Sequence, residues 1–180
     1  MKFGTLFSAL LISSAGLAFS TAAQAADKTQ VVKILGGKAT IELPVEFVKM
    51  PQNLLAEKYT EERNRPQEAW YVENVDSKVT IAFSVTKDKI KESELSKVSE
   101  VFKKQLSVLS PTVSHVKING HKMDRIEFNT PTDDEGNYIY NLMQLSSFNG
   151  QMMYVAFNVT NDLESKYKIV GEAALSSLKY

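Results

Sequence analysis

The apolar positions of this chain recur with two different periods. Between residues 79 and 87, Val79, Ile81, Phe83 and Val85 alternate with Thr80, Ala82, Ser84 and Thr86. A period of two puts alternate side chains on opposite faces, so the segment is expected to be a half-buried strand. Asn119-Gly120 and Asn149-Gly150 can each take the positive φ angles of a two-residue hairpin turn. They predict hairpins over 112–118 with 121–129, and over 138–148 with 151–160. Gly36-Gly37 is expected to join strands at 31–35 and 38–43, and Asp76-Ser77 to join strands at 68–74 and 79–87. Pro44 lacks a backbone donor and ends its strand. Helical spacing appears twice. After Ser93 it runs through Leu95, Val98, Val101, Phe102, Leu106 and Leu109, and Pro111 stops it. After Asn161 or Asp162 it runs through Leu163, Tyr167, Val170, Ala174 and Leu178. Residues 44–66 show no long period and are expected to form an excursion with one short helical turn. Strands joined by tight turns must be antiparallel, and two amphipathic helices need a sheet to pack on. The expected class is α+β: an antiparallel sheet with helices packed across it. No internal break in composition divides residues 26–180, so they are read as a single domain.

The strands at 138–148 and 151–160 are apolar on both faces near one end. Tyr138, Tyr140 and Leu142 share one face, opposite Ile139, Met143 and Leu145. Met152 and Tyr154 oppose Met153, Val155, Phe157 and Val159. A strand reads this way when both faces are covered, here by a helix and by the 44–66 excursion. The bland reading is a second small core. The functional reading is a partner surface, with Trp70, Tyr138, Tyr140 and Tyr154 as candidates, because Tyr and Trp combine apolar area with a polar tip.

Composition narrows the function. The 180 residues carry 21 Lys+Arg and 21 Asp+Glu, with 43% hydrophobic and 23% charged. A balanced charge argues against nucleic-acid binding. Cysteine is absent and histidine occurs twice, so thiolate chemistry, a disulfide framework and a Cys zinc site are excluded. Residues 1–25 read as a signal peptide: Lys2, an apolar run from Leu6 to Phe19, then Ala23-Gln24-Ala25 as the cleavage signal. That run is short against the ~20 residues a membrane span needs. Cleavage after Ala25 implies a periplasmic product with no membrane insertion.

Candidate chemistry is sparse. His115 and His121 flank one turn without metal-ligand spacing, and 121 pairs with 118 rather than 115. Asp133-Asp134-Glu135-Gly136-Asn137 lacks the spacing of a calcium loop and reads as a solvated turn. No serine sits in a nucleophile motif. Asp124 and Glu127 lie three apart on a strand and point to opposite faces. The mixed charges of 57–65 read as a solvated face. No catalytic residue, metal site or cofactor is therefore expected, and the chain is read as a non-enzyme.

Several segments resemble the DcrB family. They are Leu35-Gly36-Gly37-Lys38 through Ile41-Glu42-Leu43-Pro44, Ile118-Asn119-Gly120-His121-Lys122-Met123-Asp124, and Ala174-Leu175-Ser176-Ser177-Leu178. Glu57-Lys58-Tyr59 with Arg65-Pro66, and Tyr140-Asn141-Leu142-Met143, are similar to wider relatives with a PsbP-like fold. The resemblance implies an α/β/α sandwich and a non-enzymatic envelope protein that binds or adapts other proteins, with no catalytic residues to transfer. DcrB-like proteins are typically lipoproteins. This chain has no cysteine to acylate, so a soluble, non-lipidated relative is implied. Its expected partner is an unidentified envelope protein. The alternatives are a carrier of a small apolar ligand, held between the sheet and the 44–66 excursion, and an immunity protein or chaperone for a secreted toxin.

Overall fold

Asn119 and Gly120 have φ angles of 49° and 94°, and Asn149 and Gly150 have 51° and 77°. These are the left-handed values that close two-residue hairpins with the twist of the flanking strands. Asp76 and Ser77 also have positive φ, at 51° and 58°. A computed structural model describes residues 28–180. The expected leader and its cleavage point after Ala25 lie outside the described residues. In chain order the elements are β1 (Thr29–Ile34), β2 (Ala39–Pro44), β3 (Phe47–Lys49), α1 (Gln52–Lys58), β4 (Glu68–Val72), β5 (Val79–Lys89), α2 (Leu95–Gln105), β6 (Thr112–Ile118), β7 (His121–Pro131), β8 (Tyr138–Phe148), β9 (Gln151–Thr160) and α3 (Asn161–Ser176).

Seven strands form one antiparallel sheet in the order β3-β4-β5-β9-β8-β7-β6. Its halves meet where β5 pairs with β9, from Val79↔Val159 to Val85↔Met153. β1 and β2 form a separate hairpin. That hairpin and α3 cover one face of the sheet: Ile34, Ile41, Leu43, Tyr167 and Leu175 pack with Ile81, Phe83, Val155 and Phe157. α1 and α2 cover the other face. Leu55 packs with Ala69, Tyr71 and Ala82, and Leu95, Val98, Phe102 and Leu106 pack with Ile126, Leu145, Met152 and Tyr154. The architecture is therefore α+β, with the sheet between two layers as expected. Among the described residues no helix is long and apolar enough to cross a membrane.

Four expectations need correction. β5 is not half-buried: Thr80, Ala82 and Ser84 are as enclosed as Val79, Ile81 and Phe83. Their small side chains read as a solvent face, yet their size lets α1 and the second layer approach the sheet. The 44–66 excursion contains a strand, β3, as well as α1. Three residues are too short to show a period. The second face of β8 and β9 at the Met152–Tyr154 end is covered by α2, not by that excursion. Finally, α2 ends at Gln105, and Val101 is 52% exposed while Ser99 is fully buried. Ser99 takes the inward place because Asp124 waits beneath it, bonded to its hydroxyl at 2.6 Å.

Candidate functional site

Alternation along β7 and β8 aims Arg125, Glu127, Tyr138, Tyr140 and Gln144 at α3, whereas Asp124, Ile126, Met143 and Leu145 look toward α2. Opposite them, Glu164, Lys168 and Glu172 recur at intervals of four on α3 and share a flank. Lys168 Nζ donates to Glu127 Oε1 at 2.5 Å and lies 4.5 Å from the centroid of the Tyr140 ring. Tyr138 donates its hydroxyl to Glu164 Oε2 at 2.8 Å. Arg125 Nε donates to Gln144 Oε1 at 2.9 Å, and its Nη2 to Ser176 Oγ at 2.9 Å. Outside this row runs an open groove of about 560 Å³, lined by Tyr138, Glu164, Lys168 and Glu172. Ile169 stands on its rim, 70% exposed.

The electrostatics follow from these contacts. The hydrogen bond to Glu127 holds Lys168 above the ordinary lysine range. Burial, reinforced by the Glu127 carboxylate, pushes Tyr140 far above the usual phenol range. The bond to Glu164 raises Tyr138. Partial burial lowers Arg125, against the attraction of Glu172. Tyr138, Tyr140 and Lys168 are protonated at neutral pH at their ordinary values, and these upward shifts leave them so.

The four candidate partner residues do not assemble. Tyr140 is 1% exposed and belongs to the core. Tyr138 remains half-buried beside it, at the groove. Trp70 lies on the same sheet face but on β4, with β5 and β9 between it and β8. Its Nε1 donates to Glu68 Oε1 at 3.0 Å, a carboxylate that also accepts the Leu35 N–H at 3.1 Å and faces Lys49 at 3.2 Å. Tyr154 is on the other face, packed with the α2 cluster. The groove residues Glu164, Lys168 and Glu172 were not singled out from the sequence, and Glu127 was weighed there only as a possible partner of Asp124. The alternating charges at four-residue intervals on α3 carried the available signal.

A second polar cluster lies under α2. Asp124, 4% exposed, accepts Ser99 Oγ at 2.6 Å and pairs with His115 Nδ1 at 2.7 Å. The residue types are those of a hydrolase triad, but the order is not. There the imidazole stands between serine and acid so that it can take the serine proton; here the carboxylate stands between them. The arrangement ties α2 to β6 and β7. As β-strand geometry required, Asp124 and Glu127 face opposite layers. His115 and His121 are not paired with each other: His121 pairs with Ile118 in register and bonds Glu92 at 2.8 Å.

No family model matches the sequence, and no curated protein matches it. Solved structures do. The solution structure of cyanobacterial PsbP from Synechocystis sp. PCC 6803 superposes with a TM-score of 0.58 at 10% identity, over 91% of this chain and 99% of that one. The Saccharomyces cerevisiae Ran-binding protein Mog1p gives 0.52 at 12%, over 84% and 95%. LpqN, involved in cell envelope biogenesis of Mycobacterium tuberculosis, gives 0.52 at 14%, over 84% and 90%. At these identities the likeness concerns backbone arrangement alone, and on that ground the chain has a PsbP-like α+β fold.

Proposed function

We propose that this chain is a soluble periplasmic DcrB-like envelope protein that acts as a non-enzymatic protein-binding or adaptor module. The observation that carries the reading is the α3 groove. It is open and shallow, Glu164 and Lys168 in it are engaged by Tyr138 and Glu127 rather than aimed at a reacting atom, and an exposed isoleucine stands on its rim. Such a surface suits a protein segment better than a small molecule, which prefers an enclosed apolar pocket. Two proteins of the same fold, one described as Ran-binding and one as involved in envelope biogenesis, lend the reading support by analogy only. The apolar-carrier alternative is the weaker one: Met50, Leu55 and Tyr71 pack together under the 44–66 region, and the cavity beside Lys58 and Tyr59 is about 230 Å³ and presents Thr80, Asn141, Asn158 and Thr160 among its lining residues.

The test is photo-crosslinking from position 169 in living cells, with the exposed Glu57 position as control. A discrete envelope protein captured from 169 and not from 57 is the expected result. Capture of a secreted toxin would turn the reading to an immunity protein or chaperone. Identical products from both positions would refute a role for the groove.

A further inference from the structure

The two edges of the seven-stranded sheet are built differently. β3 is three residues long, and the side chain of Gln30 caps its outer side by donating to the Phe47 carbonyl at 2.9 Å. β6 is seven residues long and among the described residues pairs only with β7, in an unbroken one-to-one register from Thr112↔Glu127 to Ile118↔His121. It has no bulge and no internal proline. The two-residue turn makes Ile118 and His121 a hydrogen-bonded pair, so the pairs alternate from there. Val113, His115 and Lys117 thus occupy non-hydrogen-bonded positions, and their backbone N–H and C=O groups point away from β7. None of these groups has a partner among the described residues. The same parity turns the Lys122 N–H away from β6, and there Glu92 Oε2 accepts it at 3.2 Å.

The charge on this edge is one-sided. Lys117 stands directly opposite Lys122 at a non-hydrogen-bonded position, where cross-strand side chains are closest and like charges repel. Neither ammonium has a carboxylate within 4.0 Å among the described residues. Glu92 is already committed to the His121 ring and the Lys122 backbone, and Asp124 to Ser99 and His115. His115 adds a ring 64% exposed on the same face. Among the described residues the α2 lysines Lys97, Lys103 and Lys104 also lack a paired carboxylate, with Glu100 as the acid among them.

We propose that the β6 edge, with its outward Val113, His115 and Lys117 backbone groups and the unneutralised Lys117–Lys122 pair, accepts an extended acidic segment of a partner protein as an eighth strand. The ladder supplies affinity without regard to sequence, and an acidic side chain opposite Lys117 supplies selectivity. A second copy of this chain is the poorer occupant. Antiparallel β6–β6 pairing would bring two sets of His115 and Lys117 onto one face. The proposal concerns a different surface from the α3 groove, so the crosslinking result at position 169 and the outcome here are independent.

The test uses the isotope-labelled chain and a synthetic nonapeptide alternating glutamate with valine and threonine. Two control peptides accompany it: one with lysine for glutamate, and one with the acidic sequence but alternate backbone nitrogens methylated. The acidic peptide is expected to slow hydrogen exchange at the Val113, His115 and Lys117 amides and to leave the β8 and β9 amides unchanged. Backbone methylation removes the ladder donors and is expected to weaken binding by about tenfold or more. The Lys117→Glu/Lys122→Glu variant is expected to prefer the lysine peptide. Equal binding of the methylated peptide would reduce the effect to ion pairing and overturn the proposal. So would unchanged exchange at the three amides at millimolar acidic peptide.

Discussion

Gly171→Ala tests how closely α3 is seated on the sheet. In an exposed helix interior this substitution stabilises, because alanine exceeds glycine in helix propensity by about 1 kcal/mol. Here the sign should reverse. A Cβ built on Gly171 would lie 2.4 Å from Cδ1 and 2.6 Å from Cε1 of Phe157, against roughly 3.5–4.0 Å for a comfortable carbon contact. An accommodation of about 1 Å is required. Phe157 cannot supply it cheaply. It is fully buried at the centre of β9, opposite Ile81 on one side and Leu142 on the other. Either α3 lifts from the sheet, loosening Tyr167, Ala174 and Leu175, or the phenyl ring leaves its rotamer. Overpacking costs about 1–3 kcal/mol, and contacts this close put the site in the upper part of that range, which leaves a net loss of about 1–2 kcal/mol after the propensity gain of about 1 kcal/mol. For a chain of this length each kcal/mol corresponds to roughly 2–4 °C in Tm. Thermal and urea unfolding of Gly171→Ala should therefore show a fall of several degrees and a lower midpoint at unchanged slope. Gly171→Ala in a Phe157→Leu background should lose much less, since the facing ring is gone. An unchanged or raised Tm in the single variant would refute the close approach of α3.

Two further predictions concern the polar contacts. Ser99→Ala deprives the buried Asp124 carboxylate of one of its two partners and should destabilise by about 1.5–3 kcal/mol, the range for a hydrogen bond to a charged group; a urea midpoint within error of the parent would dismiss the clasp. Glu92 is held below its ordinary value of 4.5, first by the hydrogen bond from His121 and then by the Lys122 N–H. A depressed carboxylate stabilises above its unfolded pKa, so this contribution is present above about pH 4.5 and lost as the pH falls through the folded value. Glu92→Gln should therefore lower stability at neutral pH and flatten the profile through the acid window, so that the two proteins converge at its lower end. Parallel profiles for both proteins below pH 4.5 would count against it.

The local features of this fold were legible from residue order alone, because each is decided within a few bonds. Asn119-Gly120 and Asn149-Gly150 close hairpins because asparagine and glycine tolerate left-handed backbone, and the β8 and β9 boundaries fall where the dipeptide puts them. The α3 stripe of Leu163, Tyr167, Val170 and Ala174 faces the core because its spacing matches the helical repeat, whereas Leu178, expected to continue it, is buried just past the end of the helix. The antiparallel class follows from turn length. What lies across the chain was not legible. Pairing of β5 with β9 joins residues from 62 (Lys89↔Gln151) to 80 (Val79↔Val159) positions apart, and no short-range signal encodes it. That pairing, and the layer laid over each face, decided that Thr80, Ala82 and Ser84 are buried. It also decided that Tyr140 serves the core and that Trp70 and Tyr154 stand apart from Tyr138. Glycine at 171 reads in isolation as a weak point of a helix. Only the phenyl ring of Phe157 beneath it shows why a larger residue does not fit, since contact depends on distance in space and the sequence records distance along the chain.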